Sequence, residues 1–146
     1  MGGTPCNCMK LRRASLAITK LYDEYLRPAG LTVSQYSMMQ NIHKLEPVSV
    51  SDLAAQTQLD RTTMVRNLHP LEKQGFVLDV SRPGARNRQL TLSKHGEEKL
   101  RFAESLWVQA QEHVKASLGE SDLARLSQLL LRIESLQAPQ QEMDQE

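Results

Sequence analysis

The sequence predicts a mainly helical protein of the α+β class, and three observations support this prediction. Apolar residues recur at helical spacing over most of the 146 residues. Two short β-rich runs flank the turn-rich segment 81–88, which is typical of a β-hairpin. Aromatic residues make up only 4% of the chain, so a helical core of Leu, Ala, Val and Met fits better than a β-sandwich.

The composition narrows the class of protein. A length of 146 residues suits one domain, here expected to span 1–146. Hydrophobic residues at 40% and charged residues at 24% argue against global disorder. No apolar run approaches the ~18 residues of a membrane span, and the first residues lack the apolar stretch of a secretory signal. Two cysteines cannot form a disulfide scaffold. We therefore expect a cytoplasmic protein that does not contact the membrane.

The first two helices are predicted from apolar spacing and from the residues that interrupt it. A helix is expected over 9–26, and Pro28 and Gly30 end it. Ser34 is the predicted N-cap of a second helix, which Pro47 breaks.

Two shorter helices follow a brief extended segment. Ser51 is predicted to cap the first of them. Asp60 is predicted to cap the second, which ends before Gly75. Pro70 lies inside this helical pattern, and its missing donor predicts a kink or an early loosening near His69. The residues expected to point inward from the second of these helices are Met64, Val65, Leu68 and Leu71.

The second half of the chain begins with the predicted hairpin. Segment 81–88 joins its two strands, and Ser93 then caps a long helix over 94–118. Gly119 ends that helix, and Ser121 is the predicted cap of a last one. The polar tail 137–146 is expected to be flexible and acidic.

This order of elements predicts a winged helix-turn-helix lobe over 48–93. The major groove of DNA, about 12 Å wide, admits one helix, and that helix needs polar and basic side chains near its N-terminus. The hairpin supplies arginines, which suit phosphate and minor-groove contacts. The DNA-binding candidates are Ser51, Arg61, Thr62, Thr63, Arg66, Asn67, Arg82, Arg86 and Arg88.

The distribution of charge agrees with this assignment. Residues 61–94 carry seven Lys/Arg and two acids, a net charge of +5. Residues 1–60 carry six against five, and 95–146 carry five against ten. A basic segment in a nearly neutral chain indicates a localised contact with a polyanion.

The chain resembles the MarR family of bacterial transcription regulators in three stretches, GLTVSQYSMMQNI, VSDLAAQTQLDRTTMVRNLHPLEKQGFV and RNRQLTLSKHG. This resemblance implies a homodimer built from helices within 9–27 and 94–136, a palindromic operator in double-stranded DNA and, usually, repression. The apolar stripe along 100–118 independently calls for a partner chain. The family also implies a small-molecule effector between the dimer helices and the DNA-binding lobe. The candidates for its pocket are Met38, Met39, His43 and Trp107.

The wing departs from the family pattern at one position. The family usually carries Asp-x-Arg there, and the Asp orients the Arg. Arg86 stands at the Arg position, whereas Gly84 replaces the Asp. We therefore expect the side chain of Arg86 to be less fixed before DNA binds.

Cys6 and Cys8 form a C-x-C pair just before the first helix. The segment TKLYDEYLRPAGLTVSQY resembles the organic-hydroperoxide branch of the family, which puts Cys8 at its peroxidatic cysteine and Tyr22 at a tyrosine partner. Arg12 and Val33 occupy two other tyrosine positions of that branch. Because nearby cations favour the thiolate, Cys6, Cys8 and Tyr22 are candidates for a redox sensor. The alternative is that the cysteines only pack against the dimer partner.

Other classes of function receive less support from the sequence. It has no glycine-rich phosphate loop and no paired acid and base, so we expect neither an enzyme nor catalytic residues. Two sulfur ligands are too few for structural zinc, and the four histidines are scattered, so neither a metal nor a cofactor is expected. The remaining alternative is a winged-helix module that binds another protein, which would not need the arginine clusters.

Overall fold

The computed structural model describes residue 3 and residues 5–139. The chain divides into two compact units, Met1–Ala110 and Gln111–Glu146, whose boundary falls inside a long helix. The predicted acidic tail, 137–146, lies outside the described residues from position 140 onward.

The described residues form six α-helices, one 3-10 turn and three short strands, as the sequence pattern predicts in outline. In chain order they are α1 (Asn7–Leu26), a 3-10 turn (Arg27–Ala29), α2 (Val33–Leu45), β1 (Val48–Ser49), α3 (Val50–Thr57), α4 (Arg61–Lys73), β2 (Val77–Asp79), β3 (Gln89–Leu92), α5 (Lys94–Leu118) and α6 (Glu120–Glu134).

Three predicted N-caps are wrong by two residues. Helix α2 is capped by Thr32, whose hydroxyl accepts from the backbone N–H of Gln35 while the Gln35 side chain accepts from the Thr32 N–H. In α3 the cap is Ser49, which accepts from the Asp52 N–H at 3.0 Å. The positions that replace the prediction are Thr32 for Ser34, Ser49 for Ser51 and Gly119 for Ser121.

The caps of α4 and α5 are confirmed. The Asp60 carboxylate accepts from the Thr63 N–H at 2.8 Å, and Ser93 Oγ accepts from the Gly96 N–H at 2.9 Å. Helix α4 continues to Lys73, three residues beyond Pro70, which confirms its predicted end before Gly75. The kink or loosening expected near His69 stays a prediction.

The sheet is three-stranded and antiparallel, in the order β1-β3-β2. Its β2–β3 pair, in which Leu78 faces Thr91, confirms the predicted hairpin. The brief extended segment before α3 becomes β1, with Val48 opposite Leu90. The wing is thereby tied to the start of the helix-turn-helix.

The core of the first unit lies between the helices and one face of this sheet. Tyr36, on α2, stacks on Trp107 of α5 with ring centroids 5.9 Å apart. The side chains with no exposed surface are Leu26, Met39, Ile42, Leu53, Met64, Leu71, Leu90, Ala103 and Ala110.

The first turn of α5 packs closely against the strand that begins the wing. A Cβ at Gly96 would lie 2.2 Å from the carbonyl oxygen of Phe76, so only glycine allows this approach. The Ser93 N–H also donates to that carbonyl.

The second unit contains the end of α5 and all of α6. Helix α6 has no buried residue, and five of its apolar side chains are 39–66% exposed. These exposed residues are Leu126, Leu129, Leu130, Leu131 and Ile133. Within the described part of the chain, the helices are all too short or too polar to span a bilayer.

Candidate nucleic-acid interface

Helix α4 has one exposed face, and most of the predicted base-reading side chains lie on it. Arg61, Thr62 and Arg66 are exposed there, and Met64 and Leu68 are buried on the opposite side. Val65 was predicted to point inward, but 51% of its surface is exposed. It stands three or four residues from Arg61 and Thr62, which is the spacing of one helical face, so the exposed face combines basic, hydroxyl and apolar groups.

The cap of α4 engages one of the predicted reading residues. Thr63 donates to Asp60 twice, from its N–H to Oδ1 at 2.8 Å and from its hydroxyl to Oδ2 at 3.0 Å. These hydrogen bonds, the backbone one above all, hold the pKa of Asp60 below its ordinary value, and the nearby charge of Arg66 acts in the same direction. The Thr63 hydroxyl is therefore occupied, whereas Thr62 is exposed beside it.

Thr63 and Asn67 are half-buried and line a cleft behind the exposed face of α4. The cleft has a volume of about 470 Å³. Its lining contains no charged side chain and consists of Val33, Ser34, Ser37, Met38, Asn41, Thr57, Leu59, Thr63 and Asn67. Two of the predicted DNA-binding residues, Thr63 and Asn67, thus belong both to the wall of this cleft and to α4.

The four predicted effector residues are not brought together. Met38 lines the cleft, whereas Met39 is fully buried in the core. Trp107 packs on Tyr36, and His43 lies at a separate cavity of about 190 Å³. The cleft behind α4 is built mainly from hydroxyl and amide residues that the sequence pattern did not single out as effector residues.

The three arginines of the wing, Arg82, Arg86 and Arg88, differ in their contacts. Arg88 forms ion pairs with Glu72 of α4 and with Asp79 of β2, the second at 3.2 Å. Hydrogen bonds from Ser81 hold the pKa of Asp79 below its ordinary value, so this partner stays charged. Arg88 therefore fixes the wing to α4.

The other two wing arginines, Arg82 and Arg86, are exposed at the tip of the hairpin. Among the described residues, neither has a carboxylate within ion-pair distance. Gly84 lies between them with a φ of +81°, in the left-handed region that favours glycine. The family's Asp at this position is thus replaced by a turn residue, and the Arg86 side chain remains available to a phosphate.

Ser51 belongs to the same predicted lobe, 48–93, as α4. Ser51 is exposed in the first turn of α3. The two helices are joined through Gln58, which adopts a left-handed φ of 56°.

The two cysteines are exposed free thiols at the start of α1, with Cys6 at the N-cap and Cys8 in the first turn. Tyr22 lies 14 residues further along the same helix, which corresponds to about 21 Å at 1.5 Å per residue. It is half-buried, and burial raises its pKa above the ordinary value. Cys8 and Tyr22 therefore do not meet within one chain.

Sequence reasoning missed Val65 as a surface residue and Arg88 as a structural one. The signal for Val65 was present, because a helix capped at Asp60 with Met64 and Leu68 buried turns position 65 outward. No local signal reveals the Arg88 pairs, since Glu72 lies 16 residues earlier in the chain.

The sequence and fold of this chain are similar to those of known transcription regulators. The model of the MarR family matches residues 31–84. The transcriptional regulator MosR of M. tuberculosis, solved in complex with DNA, is 34% identical to this chain. The match covers 90% of this chain and 100% of MosR, with a TM-score of 0.71.

Two further proteins are similar to this chain. The transcriptional regulator BilQ of Clostridioides difficile is 26% identical over 109 residues, which are 73% of this chain and 74% of BilQ. The repressor CouR, solved on a 23-mer DNA duplex, is 22% identical with a TM-score of 0.80, covering 88% of this chain and 92% of CouR. CouR has also been solved with p-coumaroyl-CoA. At this identity CouR supports the fold alone.

Proposed function

The chain belongs to the MarR family of transcriptional regulators, and we propose that it acts as a homodimeric repressor that binds a palindromic operator in double-stranded DNA. The observation that carries the proposal is the pairing of two exposed features, the polar and basic face of α4 and the arginine tip of the wing. A helix of this kind suits the major groove. Arginines at a hairpin tip suit the adjacent backbone or minor groove.

The competing function is a winged-helix module that binds a protein. Such a module has no need for cations at both the reading helix and the wing. The net charge of +5 over 61–94 therefore favours the nucleic acid.

The decisive experiment is to map the site bound near the protein's own gene and to measure affinity for that duplex at several salt concentrations. Arg86→Ala should weaken binding to all sequences and flatten the salt dependence, as the loss of a phosphate contact does. Arg66→Ala should instead change which sequence is preferred. Lys99→Ala, on α5 outside this surface, is the matched loss of one positive charge. If Arg86→Ala and the parent chain bind duplex equally at every salt concentration, the wing does not contact DNA.

We further propose that the uncharged cleft behind α4 receives a small-molecule effector. Among the described residues, the side chains of Ser34, Ser37 and Asn67 have no hydrogen-bond partner, so the cleft offers free donors and acceptors. Because no charged group lines it, an ionic ligand would lose its hydration without compensation, and a neutral ligand is favoured.

Benzamide and benzoate form a matched pair of probes for this cleft, since they share a shape and differ in charge. Benzamide at millimolar concentration should raise the Tm of the parent chain and leave that of Ser37→Phe, which fills the cleft, unchanged. An equal response to benzoate, or an undiminished response in Ser37→Phe, argues against the cleft.

The exposed thiols support a second route of regulation, in which an organic hydroperoxide oxidises Cys8. The thiolate attacks the peroxide, giving the sulfenic acid and releasing the alcohol, and a thiol of the partner chain or a small thiol then condenses with it and releases water. Tyr22 can contact this cysteine only from the partner chain, since about 21 Å of helix separates the two within one chain.

Operator affinity before and after hydroperoxide treatment tests this route. Oxidation should weaken binding by the parent chain, reductant should restore it, and Cys8→Ser should respond to neither. Cys6→Ser shows whether the neighbouring thiol is required. If affinity is unchanged while labelling shows the thiols consumed, the cysteines do not regulate DNA binding.

A further inference from the structure

Three side chains that suit a metal ion converge near the root of the wing. His43 lies in the last turn of α2, Glu46 is its C-cap, and Glu97 lies in the first turn of α5. One ligand atom from each lies within 4.8 Å of the other two. The sequence did not predict this cluster, because its members come from two helices separated by about 50 positions.

The carboxylate of Glu46 is held in a fixed orientation. Its Oε2 accepts from the Thr91 hydroxyl and from the Leu92 N–H, each at 2.9 Å. Oε1 is left facing His43 Nδ1 at 3.6 Å. That distance exceeds a direct hydrogen bond of about 2.7–3.2 Å. A carboxylate that binds a metal is typically held in its orientation by hydrogen bonds from neighbouring groups.

The surroundings leave room for an ion and for water. A cavity of about 190 Å³ adjoins the cluster and is lined by His43, Glu97, Leu100, Arg101 and Glu104. A water molecule occupies about 30 Å³, so several could complete a coordination shell. Arg101 is the one arginine or lysine in this lining, which also contains the carboxylates of Glu97 and Glu104.

We propose that His43, Glu46 and Glu97 bind a divalent first-row transition metal such as Zn²⁺ or Mn²⁺. An imidazole nitrogen favours these ions over Mg²⁺ or Ca²⁺, and two carboxylate oxygens suit Zn²⁺ and Mn²⁺. Tetrahedral ligands at the 2.0–2.2 Å of zinc–ligand bonds stand about 3.4 Å apart, so the ligand atoms, within 4.8 Å of one another, need to close around the ion. With three protein ligands, water would fill the remaining position.

The ion would link α2, the sheet and the start of α5. Glu46 is bonded to the end of β3, so a metal shared with Glu97 ties α2, the sheet and the start of α5 together. Metal binding is expected to raise the Tm of the folded chain. This inference does not depend on the proposed DNA binding, and its test needs no DNA.

Calorimetric titration with Zn²⁺ tests the proposal, using an untagged full-length chain carrying Cys6→Ser and Cys8→Ser so that thiolates do not compete. One ion should bind per chain. Glu97→Gln should weaken binding about tenfold or more, and Glu98→Gln, the exposed neighbour on the same turn, should leave it unchanged. His43→Ala and His113→Ala form a second pair, with the loss expected only in the first.

Two further readouts locate the ion and control for folding. Paramagnetic Mn²⁺ should broaden the amide signals of the three ligand residues His43, Glu46 and Glu97, and of Leu92, before others. Melting without metal should give the same Tm for Glu97→Gln and Glu98→Gln. The proposal is overturned if these two variants bind Zn²⁺ equally, if no ion binds, or if Mn²⁺ first broadens signals elsewhere.

Discussion

Val65 is an apolar side chain on the exposed face of α4, one turn after Arg61. In the major groove, an apolar group at such a position distinguishes thymine through its methyl group. Val65→Thr keeps the shape and replaces one methyl with a hydroxyl. We expect the preference for thymine at one position of each half-site to fall by about 1 kcal/mol, roughly fivefold. Selection from a randomised duplex library measures it, with Ser105→Ala on α5 as the control.

Asp60 gives a prediction on pH dependence. Its pKa is lowered in the folded chain, chiefly by the backbone hydrogen bond from Thr63. A depressed carboxyl pKa contributes stability that is present above the unfolded value of about 3.9 and is lost as the pH falls through the folded value. The Tm difference between the parent chain and Asp60→Ala should therefore be constant near neutral pH and shrink below about pH 4. Asp60→Asn, which caps without titrating, should lack this pH-dependent contribution.

The cap positions show how far sequence reasoning reaches at the residue scale. Asp60 and Ser93 were predicted correctly, although a threonine stands two residues from each, Thr62 and Thr91. Thr32 and Ser34, or Ser49 and Ser51, offer two hydroxyls at neighbouring positions. The choice between them is made by packing of the whole helix, which local pattern does not contain.

The contact between α5 and the wing is the clearest feature at the scale of the elements. Gly96→Ala would gain about 1 kcal/mol of helix propensity. Its Cβ, however, would lie 2.2 Å from the Phe76 carbonyl oxygen, which is backbone and moves only with the strand. We expect the overlap to dominate and the free energy of unfolding to fall by about 1–3 kcal/mol. Urea denaturation measures it, with the exposed Glu98→Ala as the control, and an unchanged or raised stability would contradict the close approach.

The helices were predicted well where the sequence has a capping residue at one end and a helix-ending residue at the other. Helix α5 has its predicted bounds, since Ser93 caps it and Gly119 follows it. Helix α4 passes through Pro70 and ends before Gly75, as predicted. Pro70 lies one turn from the C-terminal end of the helix, so only one backbone donor is lost before the helix stops. The extended segment that becomes β1 was predicted, but its pairing with β3 was not. That pairing joins Val48 to Leu90, and two residues give no periodicity from which it could be inferred.

At the scale of the whole molecule, the exposed apolar side chains of α6 call for a second copy of the chain. Leu126, Leu130 and Ile133 share one helical face and are 39–42% exposed. Burying a leucine contributes about 1.5–3 kcal/mol, and two-fold symmetry doubles the effect of each substitution. Leu126→Ser with Leu130→Ser should therefore convert a micromolar dimer into monomer.

Sedimentation velocity checks this prediction. Leu131→Ser is the matched control, because Leu131 is 66% exposed and lies about 100° around the helix from Leu130. A parent chain that sediments as a folded monomer at micromolar concentration would contradict the dimer.

Thr63 and Asn67 lie on the reading helix and also line the cleft behind it. A substitution at either position changes the wall of the cleft and the helix surface in one step. Thr62, Val65 and Arg66 lie outside the cleft lining. Under the proposed function, a descendant of this protein can therefore acquire a new operator through these three positions while keeping its cleft. A change at Thr63 or Asn67 forces both specificities to diverge together.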